Sequence, residues 1–211
     1  EPANDTAVGG TSGVTGGGTS PTPGGRVVAP EPGLRKEDEG GAVAYHPVAG
    51  ETFVKGEGDA QDVDANDVRQ GQLGNCYLMG GMAAVARANP DYIRKLIVDN
   101  KDGTYDVTLY VPERAGDRKG KPVTITVSGS FPTNDGGRST RYARAADTGP
   151  KGSELWPLLI EKAWAIHKGT YTNIEGGKVN DDGKFQGAIA LLTNLREGYY
   201  VPENQSDRQT A

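Results

Sequence analysis

The residues best suited to chemistry lie in the stretch DVRQGQLGNCY, which contains Cys76, the only cysteine among 211 residues. A thiol attacks as its thiolate, and the unpaired amides at the start of a helix stabilise negative charge. The apolar run that begins at Cys76 predicts a helix, so we expect the sulfur at a helix N-terminus. This setting favours a nucleophile. The alternative is a buried structural cysteine, because cysteine is among the most frequently buried residue types.

A thiol that attacks an acyl carbon also needs hydrogen-bond donors directed at the developing oxyanion. The backbone N–H of Cys76 can supply one donor, and the side-chain amide of Gln70 is a candidate for the second. Gly71 and Gly74 lie between them and allow the backbone to fold tightly enough to return that amide toward the sulfur. The pattern is compatible with an acyl-transfer site in which Cys76 is the nucleophile and Gln70 the oxyanion donor, and the buried structural cysteine stays open as the alternative.

Such a site also needs an imidazole to move protons and an Asn or Asp to orient it. The chain has two histidines. His46 precedes the cysteine in a predicted loop, and we interpret it as a surface residue. His167 lies near the end of a predicted helix, where a positive side chain favours the helix dipole. We predict that neither is the general base.

Apolar periodicity predicts the elements that position these residues. CYLMGGMAAVARA is expected to form a buried central helix, followed by a second helix that Asn89 caps. TYDVTLYV and PVTITV alternate apolar and polar residues, which predicts a β-hairpin. Residues 129–152 are expected to be a loop, SELWPLLIEKAWAIHKG an amphipathic helix, and about 183–196 a final helix. The fold class is therefore α+β.

The chain divides into two parts by composition. Residues 1–41 consist of Gly, Thr, Ser, Pro and charged residues with almost no large apolar side chain, which predicts a flexible linker or tail. A propeptide that covers an active site is the functional alternative, and composition alone does not support it. Residues 42–211 are expected to form one folded unit.

Charge and hydropathy exclude several classes of function. The formal charge of -5 and the scattered Lys and Arg leave no basic stripe, so nucleic acid is not an expected partner. A single cysteine excludes an internal disulfide and a cysteine-based zinc site. No apolar stretch approaches the length of a membrane span, so we expect a soluble protein, cytoplasmic or secreted, with no membrane partner.

Three segments carry a resemblance to a known family. QGQLGNCYL resembles the active-site signature of the calpain family of papain-like cysteine proteases, in which a Gln, a Gly and the nucleophilic Cys stand at these offsets. DGTYDVTLYVP with PVTITV resembles the hairpin that follows in that family's first catalytic subdomain, and ELWPLLIEKAWAIHKGTYTNIEGG resembles its Trp-containing segment. The resemblance covers roughly Ala60 to Thr193 in the family's order, and it implies that Cys76 is the nucleophile and Gln70 the oxyanion-hole side chain.

The sequence departs from the family in two ways. Asn75 and Tyr77 flank the cysteine where the family usually has Asp and Trp, and both keep a polar or aromatic neighbour. The His-containing strand and the Asn-Pro-Trp-like segment of the family's second subdomain are not found. The resemblance therefore implies the cysteine-bearing subdomain alone, inactive by itself, with a complementary His- and Asn-bearing subdomain as its partner.

The resemblance also implies a calcium site. Animal calpains bind calcium in this subdomain through backbone carbonyls and two carboxylates, which correspond here to Asp67 and Glu154. The upstream backbone positions, Ala60 and Asp62, do not repeat the family's glycine-rich turn. The alternative is that both carboxylates serve as helix caps or dipole partners. The nearby DAQDVDAND lacks the central Gly and final Glu of an EF-hand loop.

By this resemblance the leading function is that of a cysteine endopeptidase, which hydrolyses peptide bonds of protein or peptide substrates through a thioester. The competing interpretation is a catalytically incomplete binding, regulatory or effector module derived from a protease. A downstream His and Asn in the same gene would favour the enzyme.

Overall fold

Three short sheets and four α-helices make up the part of the chain that the computed structural model describes, residues 26–113, 119–134, 136–146, 148–150, 152–177 and 187–195. The helices are α1 (Cys76–Ala88), α2 (Asp91–Leu96), α3 (Trp156–Lys168) and α4 (Ala188–Thr193). The strands are β1 (Ala44–Pro47), β2 (Gly50–Glu51), β3 (Ile97–Asp99), β4 (Thr104–Val111), β5 (Lys121–Ser128), β6 (Ser130–Asn134), β7 (Ser139–Thr140), β8 (Thr148–Gly149) and β9 (Gly152–Glu154). Short 3-10 helices span Lys36–Asp38, Ala65–Asp67 and Thr172–Gly177. None of the helices in these ranges has the length and apolarity to cross a bilayer.

The predicted β-hairpin is confirmed. β4 pairs antiparallel with β5 from Thr104↔Ser128 to Val111↔Lys121, and β3 adds a third antiparallel strand on the other edge of β4. Val107, Leu109 and Val127 point into the core and are fully buried. The alternation seen in the sequence therefore corresponds to one buried face of this sheet.

The most buried helix is α3. It begins after Leu155 with Pro157 in its first turn, ends at Gly169 with φ of 91°, and buries every residue from Trp156 to Ala165. In contrast, α1 exposes Cys76 and Gly80, so the expected buried central helix is buried on one face only. The Gly and Ala content of a helix does not require burial on every face. Here the buried face of α1 packs against α4, where a Cβ on Gly81 would lie 2.3 Å from the Cβ of Ala188.

The expectation of a loop over residues 129–152 was also wrong. β6 pairs with β1 and β7, and β9 pairs with β2 and β8, so this stretch builds two sheets with strands from the segment before α1. Strands of two to five residues are too short for alternation to be visible, and β6 and β9 pair with β1 and β2, which lie far away in the sequence. The final predicted helix corresponds to α4, which ends before Asn194, a residue with φ of 57°. Residues 183–186 and 196 of the predicted helix lie outside the described residues.

The predicted linker reaches into the folded unit. Residues 1–25 lie outside the described residues, but residues 26–41, hereafter the strap, contact the core. The Glu31 carboxylate lies 2.6 Å from Nζ of Lys162, and Asp38 is only 4% exposed. Gly33 forms an isolated parallel β-bridge with Thr170. Composition did not indicate these contacts because the strap contributes charged groups that pair with residues distant in sequence.

Candidate active site

Cys76 is the first residue of α1, and its side chain is exposed. The carbonyl of Asn75 accepts the first helical bonds, from the amides of Leu78 and Met79 at 2.9 and 3.2 Å. The Cys76 N–H belongs to the first turn, whose amides have no partner within the helix. The thiol is therefore accessible at a helix N-terminus, and the alternative of a buried structural cysteine is contradicted.

Gln70 lies on the loop that leads to the cysteine, and its side chain is exposed. Its Nε2 donates to the carbonyl of Leu73 at 2.6 Å, and the amide of Asn75 donates to the same carbonyl at 2.9 Å. A side-chain amide carries two N–H groups, so one remains for another acceptor. The hydrogen bond holds the amide within the loop, and the role of oxyanion donor stays a prediction.

The loop of residues 70–75, hereafter the cysteine loop, is enclosed by two other segments. A Cβ on Gly71 would lie 1.8 Å from the carbonyl oxygen of Tyr142, so close approach of two backbones is the reason for this glycine. The amide of Gln72 donates to the Arg141 carbonyl at 3.0 Å. On the other side, the amide of Gly176 donates to the Gly74 carbonyl at 2.6 Å.

A buried carboxylate that the sequence analysis missed lies beneath the cysteine loop. Glu161 of α3 is 2% exposed, and it accepts hydrogen bonds from the Asn75 side-chain amide and the Ala143 backbone amide, each at 2.8 Å. Burial raises the pKa of Glu161 to about 7, although both hydrogen bonds favour its ionised form. The signal in the sequence was a pair of charged residues, Glu161 and Lys162, within the apolar run LLIEKAWA.

Asp67 and Glu154, the predicted metal ligands, are both fully buried. Asp67 caps its own 3-10 helix by accepting from the Asp64 amide at 2.6 Å, and it also accepts from Nε1 of Trp156 at 3.0 Å. Glu154, two residues before Trp156, accepts from the Val54 amide at 3.0 Å. Among the described residues, no group of three or more His, Cys, Asp or Glu could hold a metal ion. A calcium site would therefore need backbone carbonyls in addition to these carboxylates.

Comparison with known proteins identifies the family. A family model described as "Calpain family cysteine protease" matches residues 54–209, which include the cysteine loop, the hairpin and α3. The chain belongs to the calpain family. Calpain-5 of Caenorhabditis elegans is 32% identical over 148 residues, and the human calpain-2 catalytic subunit is 28% identical over 138 residues. The calpain-type cysteine protease DEK1 of Arabidopsis thaliana is 29% identical over 123 residues.

The matched regions are small parts of these calpains. The match covers 68% of this chain and 22% of calpain-5, and 62% of this chain and 18% of the human calpain-2 catalytic subunit. For DEK1 the shares are 57% of this chain and 5% of the relative. The chain therefore spans less than a quarter of the length of each of these calpains.

The two histidines of this calpain-family chain contact residues other than Cys76. His46 lies in β1 rather than in the predicted loop, and its Nδ1 is 2.7 Å from Oγ1 of Thr133. The ring of His167 stacks on Trp164 with centroids 5.3 Å apart. Burial, together with the charge of Lys168, lowers the pKa of His167 below 6.5, so at neutral pH it is not the positive dipole partner expected from the sequence.

Proposed function

We propose that this chain is the cysteine-bearing catalytic subdomain of a calpain-like cysteine endopeptidase. The observation that carries the proposal is the exposed thiol of Cys76 at the first residue of α1, within the residues that match the calpain family. The thiolate is the form of a cysteine that attacks a carbonyl carbon. The substrates are proteins or peptides, in keeping with the protease names of the relatives.

In the proposed reaction, the Cys76 thiolate attacks the carbonyl carbon of a peptide bond and forms a tetrahedral oxyanion. The Cys76 N–H and the second N–H of Gln70 donate to that oxygen. Cleavage of the C–N bond leaves a thioester after a proton passes to the departing amine, and water then hydrolyses the thioester. The chain supplies the nucleophile and the donors.

The proton carrier in this proposal comes from a complementary subdomain that bears a His and an Asn. Support comes from the contacts of the two histidines of this chain, since His46 binds Thr133 and His167 stacks on Trp164. We infer that this chain alone has little or no protease activity. The same observation favours the second candidate, a protease-derived binding, regulatory or effector module that performs no catalysis.

The two buried carboxylates are the proposed ligands of a calcium ion. Asp67 and Glu154 offer hard oxygen atoms of the type that calcium prefers, and backbone carbonyls would complete the six to eight ligands of the ion. Support comes from their complete burial next to the start of α3, where Trp156 binds Asp67. When bound, the ion would cross-link the segment before Gln70 to the start of α3.

Four proteins test the proposed function: this chain, an extended protein that joins it to the sequence encoded downstream, and the Cys76→Ala variant of each. We expect cleavage of an unfolded protein substrate only by the extended protein with Cys76 intact. Loss of one member of a catalytic triad costs on the order of 10⁴-fold, so this chain should show almost none. Normal turnover by this chain that depends on Cys76 would refute the division into two subdomains. If the extended protein carried a His and an Asn yet showed no Cys76-dependent cleavage with calcium present, the binding module would be the better interpretation.

A further inference from the structure

One arginine of the strap contacts both sides of the cysteine loop. Nη1 of Arg35 donates to the carbonyl of Gln72 at 3.0 Å, inside the loop. The same Nη1 lies 3.5 Å from Oε1 of Glu175, and that oxygen accepts the amide of Gly74 at 3.3 Å. The guanidinium therefore links a loop carbonyl directly, and a loop amide through Glu175.

The guanidinium is itself held by a buried carboxylate. Nε of Arg35 donates to Asp38 at 3.3 Å, and Asp38 also accepts from Nη2 of Arg141 at 2.7 Å and from the hydroxyl of Tyr142 at 3.1 Å. Burial opposes ionisation of Asp38, but the hydrogen bonds from Arg141 and Tyr142 and the charges of both arginines hold its pKa below the usual value. Asp38 is therefore a carboxylate anion that orients Arg35.

Backbone hydrogen bonds fix the path of the strap beside the same loop. The amide of Gly33 donates to the Gly169 carbonyl at 3.1 Å, and the Gly33 carbonyl accepts from the Tyr171 amide at 2.8 Å. The Lys36 amide donates to Oγ1 of Thr172 at 2.9 Å. The strap thus runs along the segment that leads to Glu175, which is the second segment in contact with the cysteine loop.

We propose that Arg35 is a positioning residue for the cysteine loop and that the strap is part of the catalytic unit. Arg35, Asp38 and Glu175 together form what we call the Arg35 clamp. The planar fork of a guanidinium can bind a carbonyl and two carboxylates at once, which the point charge of a lysine cannot do. The catalytic consequence rests on the proposed function, whereas the effect on loop order does not.

Hydrogen exchange tests the clamp in the full chain without any protease assay. We expect Arg35→Gln to accelerate exchange of the Gly74, Asn75 and Gly176 amides about tenfold, the effect of losing one charge-assisted hydrogen bond. Amides in the middle of α3 should be unchanged. Arg26→Gln is the matched control, because this strap arginine lies 3.6 Å from Asp106 of the hairpin. Equal exchange in Arg35→Gln and the wild type, or equal acceleration by Arg26→Gln, would overturn the clamp.

A double-mutant cycle separates positioning from general stability. If Arg35 acts partly through Glu175, the double variant with Glu175→Gln should accelerate loop exchange by less than the product of the two single-variant factors, because the Gln72 contact of Arg35 is independent of Glu175. Additive effects would show that the two residues act separately and would contradict the clamp.

In the extended protein, Arg35→Gln should lower kcat about tenfold with little change in KM, and Arg35→Lys should recover part of the loss. Unchanged kcat with faster loop exchange would refute the catalytic part of the proposal. Absence of Cys76-dependent cleavage in the wild type would refute the proposed function, while loop exchange would still decide the clamp.

Discussion

Glu161→Gln tests whether the carboxylate beneath the cysteine loop titrates near neutral pH. The side chain is 2% exposed within α3, and burial raises its pKa from 4.5 to about 7. The two hydrogen bonds it accepts, from Asn75 and Ala143, oppose that rise but do not cancel it. In the folded protein Glu161 therefore holds its proton at pH values where an exposed glutamate has lost it.

The direction of the effect on stability follows from proton linkage. Because the folded protein binds this proton more tightly than the unfolded chain, the stabilisation is complete below about pH 4.5 and is lost as the pH rises to about 7. Each tenfold difference in proton affinity is worth about 1.4 kcal/mol, so the loss amounts to about 3 kcal/mol. The neutral amide of the Glu161→Gln variant cannot ionise, so that variant should lack this loss.

Urea unfolding at pH 4.5, 6, 7 and 8.5 measures the effect. The free energy of unfolding of the wild type, minus that of Glu161→Gln, should fall by about 3 kcal/mol across this range. Taking this difference cancels the pH-dependent contributions of the other carboxylates, which both proteins share. Among them is Asp38, whose pKa is lowered and whose contribution to stability therefore changes with pH in the opposite direction. Glu39→Gln, at an exposed position, is the control and should follow the wild type at every pH. Parallel pH profiles for the wild type and Glu161→Gln would refute the reasoning.

Three further predictions concern the same region. Iodoacetamide should alkylate Cys76 in the folded chain, because the thiol is exposed, and protection until denaturation would contradict this. Millimolar calcium should raise the melting temperature of the wild type by mass action, whereas Asp67→Asn and Glu154→Gln should each lose that gain; equal shifts in all three proteins would exclude the site. In a denaturant titration, Gly71→Ala should lower the free energy of unfolding by about 1–3 kcal/mol, because its Cβ would meet the backbone of Tyr142. Gly80→Ala is the control: its Cβ would enter open space, so this variant should be as stable as the wild type or more stable.

The elements that the sequence predicted are those with a local signal. α1, β4, β5 and α3 each carry apolar residues at a spacing that one element alone explains, and the exposed Cys76 follows from the start of α1. Pro157 and Gly169 marked the ends of α3 for reasons of backbone geometry that act within a few residues.

The features that sequence reasoning missed depend on partners far along the chain. The strands β6 to β9 are short, and their two sheets form only when β6 pairs with β1 and β9 pairs with β2. The strap looks like a linker because its charged residues have no visible partner until α3 and Tyr142 are folded against it. The charges within LLIEKAWA mark Glu161 as unusual, but its role arises only where the cysteine loop and Ala143 meet α3.

The ion pair between Glu31 and Lys162 sets a limit on where the protein can be trimmed. The side chain of Lys162 is 1% exposed, and besides Glu31 it donates to Ser128 and Ser130. A version that starts at Ala42, the boundary suggested by composition, would bury this ammonium without its counter-ion. Because the Glu31 side chain is 33% exposed, its removal should cost less than the about 3–5 kcal/mol typical of a fully buried pair. An N-terminal boundary that keeps this ion pair therefore lies before Glu31, inside a stretch that composition alone marks as a linker.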